Sequence, residues 1–119
     1  MTYKIIYSPE SLDDLRAIYS YIAFEKLAPQ NAENQVNRIR DSIRSLDLFP
    51  EGHTTVEWEP WASMEMRFLP VDNFIVYYLV DNSGRKVSIV RIFYSGRDVE
   101  HIIKTDIEIN NPIRQKSGE

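Results

Sequence analysis

Cysteine is absent from all 119 residues, which excludes disulfide staples and thiolate metal sites and points to a reducing compartment. Histidine occurs only at His53 and His101, far apart in the chain, and glycine only four times. There is no Gly-rich phosphate loop, no HExxH and no GxSxG, so the common nucleotide, zinc-hydrolase and serine-hydrolase signatures are missing. No apolar stretch approaches the roughly 20 residues that span a bilayer. The start, "MTYKIIYSPE", lacks the basic-then-apolar order of a secretory signal. The expectation is a cytoplasmic protein without membrane contact, metal or cofactor.

A basic footprint is also missing. The net charge is −4. Residues 1–60 carry six Lys and Arg against ten Asp and Glu, and residues 61–119 carry eight of each. Proteins that bind nucleic acid through its phosphates show a broad basic surface. Here positive charge gathers only between residues 85 and 97, where Arg85, Lys86, Arg91 and Arg97 stand without an acid.

What is present is an ordered series of amphipathic segments. "YKIIY" (3–7) is a β-branched and aromatic run that reads as a strand. Ser8 then Pro9 is a helix start, with a side-chain cap followed by a residue suited to the first helical position. Leu12, Leu15, Ile18, Tyr19 and Ile22 follow at helical spacing. After "KLAPQNA" (26–32), Ala32, Val36, Ile39, Ile43 and Leu46 repeat the pattern until Pro50 forbids continuation. Two helices on a short link form an antiparallel hairpin.

"HTTVEWEPWAS" (53–63) has no period and reads as loop or edge strand, with Trp58 and Trp61 either closing the core or forming a partner-binding patch. Strands follow at "MEMRFLP" (64–70), "NFIVYYLVD" (73–81) and "KVSIVRIFY" (86–94). "DNSGRK" between the last two is a turn that offers Gly84 for a positive φ, and "RDVEHIIKT" (97–105) adds a short helix. The fold class is α+β: β-α-α-β-β-β, a helical hairpin on one face of a four-stranded, mainly antiparallel sheet, the other face partly open. Residues 1–105 form the single domain, and 106–119 a polar tail that frays.

Few side chains carry chemistry. Tyr94 and Arg97 stand three apart where the last strand breaks: a Tyr hydroxyl passes a proton, and an Arg fork holds a phosphate. Against this, an aromatic closing a strand is ordinary packing. Arg67 and Arg91 lie within strands, Arg91 suited to an ion pair with the acids of the first helix. His53, with Glu57 and Glu59 near in sequence, has the residue types of a general acid or base.

"YSPESLDDLRAIYSYI", "SIRSLDLFPEG", "MRFLPVDNFIVYYLVD" and "VSIVRIFYSGRD" together resemble the RelE/ParE superfamily of bacterial toxins, over residues 3–103. The resemblance implies the toxin half of a type II toxin–antitoxin pair, neutralised by a cognate antitoxin. It also implies one of two targets. RelE-like members cut mRNA on the ribosome; that reading makes Arg67 and Arg97 phosphate-stabilising residues and Tyr94 the proton carrier, in attack of a ribose 2′-hydroxyl on the adjacent phosphate. ParE-like members poison DNA gyrase without catalysis. Ile75 stands where RNA-cleaving members carry a catalytic Arg. A degenerate member that only binds its antitoxin is the third reading.

Overall fold

The computed structural model describes residues 2–110, with side chains described through Asp106. β1 (Lys4–Tyr7) leads into α1 (Pro9–Ser20) and α2 (Pro29–Arg44), and β2 (Arg67–Val71), β3 (Phe74–Asp81) and β4 (Lys86–Tyr94) precede α3 (Val99–Asn110). The sheet order is β1-β4-β3-β2. β1 runs parallel to β4, and the other pairings are antiparallel. The strand and helix series read from periodicity is therefore present in order. α3 continues to Asn110, and the tail from 111 onward lies outside the described residues. Among the described residues no helix is long and apolar enough to cross a membrane.

Ser8 caps α1 as its type suggests: its Oγ accepts from the Ser11 N–H at 3.0 Å, with Pro9 in the first turn. The same hydroxyl donates to the Val90 carbonyl at 2.8 Å. This second bond matters because β1 has four residues and β4 nine. Beyond Tyr7 the outer edge of β4 has no strand beside it among the described residues. Ser8 satisfies Val90 there, and Asp14 accepts from the Ile92 N–H at 2.8 Å. The start of α1 thus stands in for the missing length of β1, meeting the requirement that main-chain polar groups near a core find partners.

α1 does not end in an ordinary cap. Residues Tyr21–Glu25 widen into a π-turn, with the Lys26 N–H reaching the Tyr21 carbonyl at 3.1 Å. Leu27 then takes a positive φ of 53° before Pro29 opens α2.

The sheet has two cores. On the hairpin face, Leu15, Ile39 and Ile43 from the helices meet Val76, Tyr78, Val87, Ile89 and Ile92. The opposite face, expected to be partly open, is covered at its centre. Val56, Trp61 and Met66 of the 53–66 segment, with Val99 and Ile103 of α3, cover Tyr77 and Phe93 there. Trp58 stacks on Trp61 with ring centroids 4.8 Å apart, and Trp61 lies 4.9 Å from Tyr77. Both tryptophans belong to packing, with Trp61 buried and Trp58 partly so.

The β3–β4 turn also differs from expectation. Arg85, not Gly84, holds the positive φ, at 53°. At Gly84 a Cβ would come within 2.5 Å of the Asp81 carboxylate, which accepts from the Gly84 N–H and the Ser83 hydroxyl, so a side chain there would push that carboxylate aside.

Candidate functional site

β3 and β4 carry Phe74 and Tyr94 opposite each other, with rings edge-to-face at 6.0 Å. From Tyr94 the chain reverses in one turn, closed by the Arg97 N–H on the Tyr94 carbonyl at 3.1 Å. Gly96 permits the reversal, since a Cβ would sit 2.6 Å from the Tyr94 ring. Tyr94 and Arg97 both line a cleft of about 680 Å³ between this end of the sheet and the hairpin tip, whose other wall includes Ile18, Tyr21 and Lys26.

The Tyr94 side chain is half exposed, at 52%. The Arg97 guanidinium lies 5.4 Å from the Phe93 ring centre and enters no ion pair among the described residues. Lys26 sits over the Tyr21 ring at 5.5 Å. Among the described residues, the rim thus has two unneutralised cations, each resting on an aromatic face, an arrangement that keeps the charge available to solvent or a ligand. Gln35 of the cleft wall donates at 2.9 Å to Asp72 in the β2–β3 turn, which also accepts from Arg38 Nε at 2.8 Å, and these bonds hold the Asp72 carboxyl below the usual range.

Arg67 is elsewhere. It pairs across from Tyr78, whereas Tyr94 pairs across from Phe74, so they are four β3 residues apart, about 13 Å. Its guanidinium donates to the carbonyls of His53 at 2.6 Å and Glu51 at 3.2 Å, with the Glu51 carboxylate at 3.9 Å. Only 21% of the side chain is exposed. Arg67 fastens the 51–55 segment to the sheet, and Tyr94 and Arg97 line a cleft that it does not reach.

Arg91 is tied to α1, in agreement with its reading as an ion pair. Its Nε and Nη2 donate to the two Asp14 oxygens at 2.8 and 3.0 Å. These bonds raise the Arg91 pKa further, chiefly through Asp14. The His53 and Tyr78 rings meet nearly perpendicular, with centroids 6.4 Å apart. Glu59 accepts from both the N–H and the hydroxyl of Ser63, bonds that hold its carboxyl below the usual range. His53 and Glu59 are thus engaged with different neighbours. The cleft wall from the π-turn was not legible from sequence; the signal available was the exposed run Tyr21, Phe24 and Leu27, apolar residues on a helix end.

Residues 5–99 match the family model of the ParE toxin of the type II toxin–antitoxin system parDE. No curated protein matches the chain. Among solved structures, a chain of the chromosomal ParDE TA system from P. aeruginosa is 22% identical, with a TM-score of 0.63 over 77% of this chain and 95% of that one. The toxin–antitoxin complex RelBE2 from Mycobacterium tuberculosis contains a chain 14% identical, with a TM-score of 0.56 over 79% and 99%. A mutant of the E. coli toxin RelE in the free state is 11% identical, with a TM-score of 0.60 over 88% and 98%. These likenesses establish the shared fold. With the family match over most of its length, the chain belongs to the ParE toxin family within the RelE/ParE superfamily.

Proposed function

We propose that this chain is a growth-inhibiting toxin that acts by binding DNA gyrase, without cutting RNA, and that a cognate antitoxin neutralises it. The observation that carries this reading is the engagement of Arg67. Metal-free cleavage of a phosphodiester relies on positive groups aimed at the charge that develops on one phosphate. Arg67 is instead bonded to the carbonyls of Glu51 and His53, and Ile75 contributes no charge from β3. Family membership agrees with the gyrase reading. The ParDE and RelBE2 relatives, described as a TA system and a toxin–antitoxin complex, support the antitoxin partner.

Expression without antitoxin, with DNA and protein synthesis labelled separately, tests the target. DNA synthesis is expected to fall first, with translation initially spared, and purified gyrase is expected to lose supercoiling activity in the toxin's presence. Prompt translational arrest with cleaved mRNA would overturn this reading. It would favour the second one, an mRNA endonuclease, for which the meeting of Tyr94 and Arg97 on one cleft is the supporting observation. On that reading Tyr94→Phe with Arg97→Ala abolishes toxicity while leaving the fold intact.

A further inference from the structure

The hairpin tip carries side chains that folding does not require. Leu27, between the π-turn and α2, combines a positive φ of 53° with 83% exposure. That backbone region suits Gly or Asn and strains a bulky side chain, and an exposed leucine gains little from packing. Phe24 in the π-turn is 70% exposed, and Tyr21 more than half. The turn is closed by main-chain bonds, from the Lys26 N–H to the Tyr21 carbonyl and from the Ala28 N–H to the Ile22 carbonyl, both at 3.1 Å. Three large apolar side chains thus stand in water between residues 21 and 27 without closing the turn that bears them. Exposed apolar groups gathered in this way mark a surface that meets another molecule.

The cleft beside the tip sets the charge of that molecule. Asp14 is the one acid on its lining, and both Asp14 oxygens are taken, by Arg91 and by the Ile92 N–H. Lys26 and Arg97 lie over the Tyr21 and Phe93 rings and enter no ion pair among the described residues. On a chain of net charge −4, this cleft therefore offers free positive charge beside the apolar Ile18, Phe74 and Ile92. Two cations on an acidic body are not the broad basic footprint that a nucleic-acid backbone needs. They complement a few carboxylates, and the exposed apolar side chains call for an apolar partner group beside them.

We propose that the hairpin tip and its cleft are the surface by which the toxin grips gyrase, and that the gyrase segment it takes carries a large apolar side chain flanked by carboxylates. The apolar side chain enters the cleft beside Ile18, Phe74 and Ile92, the carboxylates meet Lys26 and Arg97, and Phe24 and Leu27 extend the contact. Desolvated apolar anchors supply most of the affinity of such an interface, and the charges on its rim steer the encounter. The inference rests on the gyrase reading and adds to it the surface used and the chemistry of the segment bound.

The test titrates the purified full chain and its variants against gyrase and reads the concentration that halves supercoiling. Leu27→Gly is the decisive variant, because Gly suits the positive φ and only the side chain is lost. It is expected to weaken inhibition roughly tenfold while the thermal midpoint holds, a combination that a purely structural leucine does not give. Lys26→Glu and Arg97→Glu should each weaken inhibition about tenfold, and Lys104→Glu on the exposed side of α3 should stay within about twofold. Undiminished inhibition by Leu27→Gly or Lys26→Glu, beside a potent unaltered chain, overturns the proposed surface and leaves the gyrase reading standing. An unaltered chain without effect on gyrase overturns both. A dimer in sedimentation that Leu27→Gly splits into monomers would give the tip to a second copy of the chain and sink the proposal.

Discussion

Tyr77 and Tyr78 are neighbours on β3, yet they belong to different halves of the molecule. Tyr78 enters the hairpin-face core and donates its hydroxyl to the Pro50 carbonyl at 2.6 Å. Tyr77 enters the opposite core, between Trp61, Phe68 and Phe93. One face is sealed by regular helices and the other by an aperiodic loop and α3. Both reach full burial at their centres, with Ile43 and Met66 each at 0% exposure. A cover therefore need not be periodic to be well packed, but only a periodic one announces itself in a sequence.

The comparison breaks most sharply at Trp61. Trp61→Ala removes the centre of the loop-face core, and a loss of about 3–5 kcal/mol is expected in urea unfolding. A similar loss from Ile43→Ala, about 2–5 kcal/mol, would make the two cores equal partners. A much smaller effect at Trp61 would mean that the loop is a detachable cover. Asp14→Ala removes two bonds to Arg91 and one to the Ile92 N–H. Because it leaves a half-buried charge unpaired, about 2–4 kcal/mol of destabilisation is expected.

The two tyrosines offer a finer test. Tyr78→Phe leaves the Pro50 carbonyl unpaired and should cost about 1–3 kcal/mol. Tyr77→Phe removes a hydroxyl without a protein partner among the described residues, and should change stability by less than about 0.5 kcal/mol. Alkali gives an independent reading. Burial pushes the Tyr78 hydroxyl from 10.0 up to about 12, and burial raises Tyr7 and Tyr77 in the same direction. The folded chain holds these protons where the unfolded chain has released them. Stability should be unaffected below pH 10 and decline as the pH rises from 10 toward 12. The decline should be shallower in Tyr78→Phe, as followed by circular dichroism. Least of all, Arg97→Ala should leave stability within about 0.5 kcal/mol, since its side chain is exposed.

Much of the hairpin half is legible in the sequence. Leu15, Ile39 and Ile43 lie at helical spacings, Ser8 and Pro9 mark the start of α1, and Arg91 stands among the acids of α1. The loop half was not, because nothing in "HTTVEWEPWAS" repeats. Trp58 and Trp61 have the same side chains whether they seal a core or await a partner. The β-bulge opposite Tyr77 and Tyr78 was equally hidden. It lets Ile89 and Ile92 share the hairpin face although they are three apart, a shift that only the pairing of two strands can impose. At the candidate site, Tyr94 and Arg97 were visible as a pair because one turn joins them. The engagement of Arg67 with main-chain carbonyls depended on a segment some fifteen residues away, about whose path the local sequence was silent.

The parallel pairing of Lys4 with Lys86 has a consequence for how the chain comes into being. β1 lies some eighty residues before its partner β4, so it leaves a ribosome well before that partner is made. Until β4 emerges, β1 has no ladder, Ser8 has no Val90, and Asp14 has neither Arg91 nor Ile92. A chain not yet extended through β4 therefore lacks the closing contacts of its own sheet, and the sheet can be completed only once β4 is available.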